Sequence, residues 1–165
     1  MVSKKMEKAL NEQLTKEMYS SHLYLSMAAY FESLNWPGFG TWMKIQAQEE
    51  MGHAMKIYGY LNGQNGRVLL AGLDAPETEW KSPLEAFKAA NKHEQFITAS
   101  INELMALAID EKDFATQAFL QWFVTEQVEE EASTQDVVDK LTLIKDAPQG
   151  MFMLDRALAQ RGAGA

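Results

Sequence analysis

Apolar residues recur along almost the whole chain at the three- and four-residue spacing of helices, and runs of β-branched residues in strict alternation are missing. Four long segments and one short one follow from the stop and start signals. The first covers about 3–34, with Ser3 as N-cap and Trp36-Pro37-Gly38 as its stop. The second covers about 39–65 and ends in Asn62-Gly63-Gln64-Asn65-Gly66. The third, about 83–111, opens on Ser82-Pro83-Leu84-Glu85, a capping box with Pro at the first helical position. The fourth, about 114–145, starts after Asp113 and is broken by Ala147-Pro148-Gln149-Gly150. A short amphipathic helix over about 151–160 closes the chain.

Connection lengths set the expected topology. The first and second helices, and the third and fourth, are joined by a few residues and form antiparallel hairpins. About sixteen residues, Gly66–Lys81, join the hairpins. Extended, they reach roughly 50 Å, more than the roughly 42 Å of a 28-residue helix. The connection can run the length of a bundle and leave the second and third helices parallel. That predicts an all-α, single-domain four-helix bundle over residues 1–165, with one long crossover and a short fifth helix. Val68-Leu69-Leu70 within the crossover is expected to lie extended against a neighbouring surface.

Each of the four helices places a polar side chain in its apolar stripe. At about 100° per residue, Leu10, Leu14, Tyr24, Ala28 and Phe31 surround Glu17. Met43, Ala47, Ala54, Ile57 and Leu61 surround Glu50, with His53 one turn on. Phe87, Ala90, Ile101 and Met105 surround Glu94. Leu120, Phe123, Val124 and Val138 surround Gln127, with Glu130 one turn on. Alone, such a Glu is a boundary residue, such a His a hydrogen-bonded core residue, and Tyr24 core packing. Together, near mid-helix, they are an unneutralised buried cluster, costly without a cation. Lys16 and Lys56 lie off the stripe centres, which leaves a metal; oxygen ligands with an imidazole suit iron.

Composition narrows the chemistry further. The chain of 165 residues has no Cys, so thiolate metal sites, disulfides and Cys nucleophiles are excluded. A net charge of −8 argues against a nucleic-acid partner and suits cations. No segment reads as a membrane span, and Met1–Asn11 lacks the apolar core of a signal peptide, so a cytoplasmic location is expected.

At these residues the sequence resembles the non-haem ferritins of bacteria and archaea, over essentially its whole length. The resemblance rests on Asn11-Glu12-Gln13 leading to Glu17, on Tyr24-Leu25-Ser26-Met27, and on Glu49-Glu50-Met51-Gly52-His53-Ala54. It continues in His93-Glu94, Phe119-Leu120-Gln121-Trp122-Phe123 and Glu126-Gln127-Val128-Glu129-Glu130-Glu131. It implies iron storage with ferroxidase activity. Glu17, Glu50 and His53 would bind one iron, Glu50 would bridge to a second held by Glu94 and Glu130, Gln127 would position oxygen or water, and Tyr24 would donate an electron or a hydrogen bond. Glu49, Glu126 and Glu129, with Glu130, resemble a third iron site. A shell of twenty-four subunits around ferric mineral, fed by Fe²⁺ and O₂ or peroxide, is the implied assembly.

Departures from the family pattern matter too. The acidic pair expected at a threefold channel falls by alignment at Gln117 and Leu120, so the entry route is open. Met51 stands where bacterioferritins hold haem, but Gln127 and Glu130 replace their second Glu-x-x-His, so haem is not expected. A di-iron enzyme acting on an organic substrate or peroxide, and a metal-free structural bundle, are the rival classes. The short fifth helix, with Met151, Phe152, Leu154 and Leu158 to bury, favours the storage shell, where a fourfold subunit contact would cover them.

Overall fold

The structure, a computed structural model, describes residues 1–145 and 147–162. Asp146 and residues 163–165, the end of the expected 1–165 unit, lie outside the described residues. Five helices follow in order: α1 (Lys4–Ser33), α2 (Pro37–Gly63), α3 (Pro83–Asp110), α4 (Phe114–Ile144) and α5 (Pro148–Leu158). No strand occurs among the described residues.

The helix starts show why the chain turns where it does. Ser3, Ser82 and Asp113 each accept from the backbone N–H three residues on, filling donors that a helix start leaves free. Pro37 and Pro148, read from the sequence as breaks, open α2 and α5 instead. At the first helical position the missing N–H costs nothing and the fixed φ is already helical. The true turning points are Asn35, with φ of 60°, and Lys145, with φ of 51°.

The crossover lies along α1. Arg67 N–H donates to Glu7, Leu69 N–H to Asn11 Oδ1, and Asn11 Nδ2 to the Arg67 carbonyl. Further on, Ser26 donates to the Glu77 carbonyl and Tyr30 to the Trp80 carbonyl. The connection thus leaves α2 near the start of α1 and delivers α3 near its end. Phe31 meets Phe87, while Gln13 meets Ser100, so α3 runs against α1 and parallel to α2. Val68 packs partly on the core, while Leu69 and Leu70 face outward.

The core is split in two. One apolar cluster joins Tyr24, Phe31, Phe39, Met43 and Phe87 to α5. The other joins Met6, Leu10, Ile57, Ile101, Leu120 and Phe123. On every bundle helix the buried residues between the two clusters are polar: Glu17 and Ser20; Glu50 and His53; Asn91 and Glu94; Gln127, Glu130 and Thr134. A polar layer at mid-height is what the fold positions.

Helix α5 buries Met151, Leu154 and Leu158 within its own chain, against the first cluster, and leaves Phe152 exposed. The expectation that a fourfold subunit contact would cover all four is corrected for Met151, Leu154 and Leu158, which the chain covers itself. Asp155 fastens the helix: its Oδ1 accepts from Gly38 N–H at 2.8 Å and Phe39 N–H at 3.0 Å, at the start of α2. Only glycine fits at 38, because a Cβ there would lie 1.7 Å from the Asp155 carbonyl oxygen.

Candidate metal centre

Glu17, Glu50, Glu94 and Glu130 meet in this layer, one from each bundle helix, all nearly inaccessible to water. Three groupings bring ligand atoms within 4.8 Å of one another: Glu17, Glu50 and His53; Glu50, Glu94 and Glu130; and His53, Glu126 and Glu130. Glu50 belongs to the first two. Its carboxylate is common to two sets of possible ligands.

Amides hold the carboxylates in place. Gln13 Nε2 donates to Glu17 Oε1 at 2.8 Å. Gln46 Nε2 donates to Glu50 Oε1 at 3.1 Å and to Glu130 Oε2 at 2.6 Å. Gln127 Nε2 donates to Glu94 Oε2 at 3.2 Å, and the Tyr24 hydroxyl donates to Glu94 Oε1. Sequence reasoning gave no role to Gln13 or Gln46. A signal was present, since each stands four residues before a buried Glu, one turn away on the same face.

Charge remains unbalanced. Among the described residues no Lys or Arg is ion-paired with Glu17, Glu50, Glu94 or Glu130. Burial, with the charge of Glu50 second, pushes Glu17 up to about 8. Burial pushes Glu94 and Glu130 up to about 7, and raises Glu50 well above the ordinary carboxylate range, with Glu94 and Glu130 adding to its shift. Burial likewise raises Tyr24 well above the ordinary phenol range, so it is a protonated donor at neutral pH. Glu17 Oε2, Glu50 Oε2, His53 Nδ1 and Gln46 Oε1 are buried without a hydrogen-bond partner. Glu50 Oε2 and His53 Nδ1 lie 3.2 Å apart. Two carboxylate oxygens and an imidazole nitrogen left unpaired in one layer form a donor set that a divalent cation satisfies.

The remaining candidates divide. Glu126 lies at the edge, its Oε1 4.0 Å from His53 Nε2. Glu129 is exposed. Glu49 is turned away to Arg161, whose Nη2 lies 2.5 Å from its Oε2. Of the residues expected at a third site, only Glu126 and Glu130 come together, with His53 added. Met51 faces outward on α2. Leu120 is fully buried in the second apolar cluster, which corrects its placement on a channel wall. Gln117 is half-buried and donates to the Ala108 carbonyl.

A family profile described as the ferritin-like domain matches residues 7–144. A curated relative named bacterial non-heme ferritin, from Bacteroides fragilis (strain 638R), is 46% identical over 161 residues, covering 98% of this chain and 100% of its own. The chain belongs to the ferritin family. Another relative of this ferritin with the same name, from Campylobacter jejuni, is 43% identical over 94% of this chain and 93% of its own. Among solved structures, an open pore ferritin from the hyperthermophilic archaeon Archaeoglobus fulgidus superposes with a TM-score of 0.95 at 49% identity, covering 96% of each chain.

Proposed function

We propose that this ferritin oxidises Fe²⁺ at a two-iron centre within each subunit and stores the ferric product inside a shell of twenty-four subunits. Iron storage is the function of its family. The finer reading is carried by one observation: Glu50 is shared between the Glu17, Glu50, His53 grouping and the Glu50, Glu94, Glu130 grouping.

Two Fe²⁺ ions bound there as substrates would give up one electron each. Together they supply the two electrons that take O₂ to the level of peroxide, with two protons completing the product. Anionic oxygen ligands favour the ferric state, because the added charge is stabilised by each carboxylate. The residues supply position and charge. Gln46 holds Glu50 and Glu130 in register, and Gln127 and Tyr24 orient Glu94. Glu126, partly exposed beside the buried His53 and Glu130, offers product iron a way off the centre. Glu49 and Glu129 would join that path by rotating inward. In the shell, the exposed Leu25, Met55, Phe114 and Val128 would be covered by neighbouring subunits.

The test is substitution at the shared ligand and its neighbour. Glu50→Ala and His53→Ala are expected to abolish rapid Fe²⁺ oxidation and to leave assembly intact. Oxidation at the unsubstituted rate in either variant removes that residue from the centre.

A further inference from the structure

Glu17 receives its hydrogen bond from Gln13, but an amide side chain can present either its oxygen or its nitrogen. An ionised Glu17 accepts only and so takes the NH₂ end, while a protonated Glu17 could pair with either. The decision comes from α3. Lys16 Nζ lies 2.5 Å from Ser100 Oγ. An ammonium group has only protons to give, so the Ser100 oxygen accepts. The Ser100 proton then points to Gln13 Oε1, 2.6 Å away. With its oxygen engaged as an acceptor, Gln13 turns its NH₂ to Glu17 Oε1 at 2.8 Å.

Gln13 and Ser100 are both buried, while Lys16 reaches the half-buried edge of the bundle. A fixed positive charge therefore sets the direction of a chain of hydrogen bonds that ends inside the polar layer. The other two glutamines are not wired this way. Gln46 Oε1 has no partner, and Gln127 spreads its donor among the Glu94 carbonyl, Glu94 Oε2 and Thr98 Oγ1.

We infer that Lys16, Ser100 and Gln13 form a positioning relay that commits Glu17 Oε1 to the protein and presents the buried, unpartnered Glu17 Oε2 to a divalent cation. The relay serves the ion held by Glu17, Glu50 and His53 and does not touch the one held by Glu50, Glu94 and Glu130. It makes the two positions of the centre unequal. This rests on the reading of Glu17 as a metal ligand.

Calorimetric titration of the assembled, metal-free protein with Zn²⁺ tests it without redox chemistry. The binding step lost in Glu17→Ala identifies the ion concerned. Ser100→Ala and Lys16→Met are expected to weaken that step by about three- to tenfold, the worth of one net hydrogen bond, and to leave the other step unchanged. Ser100→Thr and Lys16→Arg, which keep the hydroxyl and the charge, are expected to bind as the unsubstituted protein does. Unchanged binding in Ser100→Ala, or equal weakening in Ser100→Ala and Ser100→Thr, overturns the relay. If Glu17→Ala removes no step, the ligand assignment fails instead, and the two failures are distinct.

Discussion

The side-chain amide of Gln46 donates to Glu130 Oε2 across 2.6 Å, tying α2 to α4 at the polar layer. The same nitrogen reaches Glu50, so one neutral donor serves two carboxylates of the Glu50, Glu94, Glu130 grouping, carried on different helices. Gln46→Leu removes the donor and leaves both groups buried without it. The metal-free protein is expected to lose about 1–3 kcal/mol of stability. With Zn²⁺ bound the ions take over the charge, so the loss should shrink. Equal losses with and without Zn²⁺, measured by thermal melting, contradict this role.

Proton linkage gives a second expectation. Glu17 is pushed up to about 8, and Glu94 and Glu130 to about 7, from an ordinary 4.5. A carboxyl with a raised folded pKa binds its proton more tightly in the folded state. Its stabilisation is full below about 4.5 and is lost as pH rises through about 7 to 8. The melting temperature of the metal-free protein should therefore fall over that range. Zn²⁺ should reverse the trend, since protons compete less for the ligands as pH rises. A melting temperature in chelator that is flat or rising from pH 5 to 8 counts against a buried carboxylate cluster.

Glu129 and Glu130 are adjacent in sequence but not in environment. Glu130 is buried against Gln46, and Glu129 faces solvent. Glu130→Ala is expected to slow Fe²⁺ oxidation more than Glu129→Ala does. Equal initial rates in stopped-flow absorbance would move Glu130 out of the two-iron centre.

The junction of α5 with α2 offers a test far from the metal. Gly38→Ala drives a Cβ to 1.7 Å from the Asp155 carbonyl oxygen, a contact that backbone must move to relieve. It should loosen α5 and destabilise the fold by more than Asp155→Asn, which keeps an oxygen for the Gly38 and Phe39 donors. Chemical denaturation of both variants orders them, and the reverse order would contradict the packing.

Much of this was readable before the structure, for a physical reason. Charged residues at stripe centres violate helical patterning, and Glu17, Glu50 and Glu94 stand out against Leu10, Ala47 and Ala90 around them. The crossover was readable from chain length alone. Gln13 and Gln46 carry no charge into the core, so they stand out only through their four-residue spacing from Glu17 and Glu50. Pro37 and Pro148 were misread because proline stops one helix and starts the next with the same ring. The pairing of Glu49 with Arg161 depends on where α5 docks, which no local pattern encodes. Leu120 reads as core from its spacing, and only alignment had put it on a channel.

The central claim is that one subunit holds two iron ions side by side and passes their oxidised product to the interior of a shell. Anaerobic addition of Fe²⁺ to the metal-free protein, followed by O₂, tests it when absorbance is recorded alongside size exclusion. The predicted result is a short-lived visible absorbance, then a growing ferric absorbance that elutes with a large particle. A stable two-iron species on a small oligomer, with no growing ferric signal, would contradict storage and point to a di-iron enzyme.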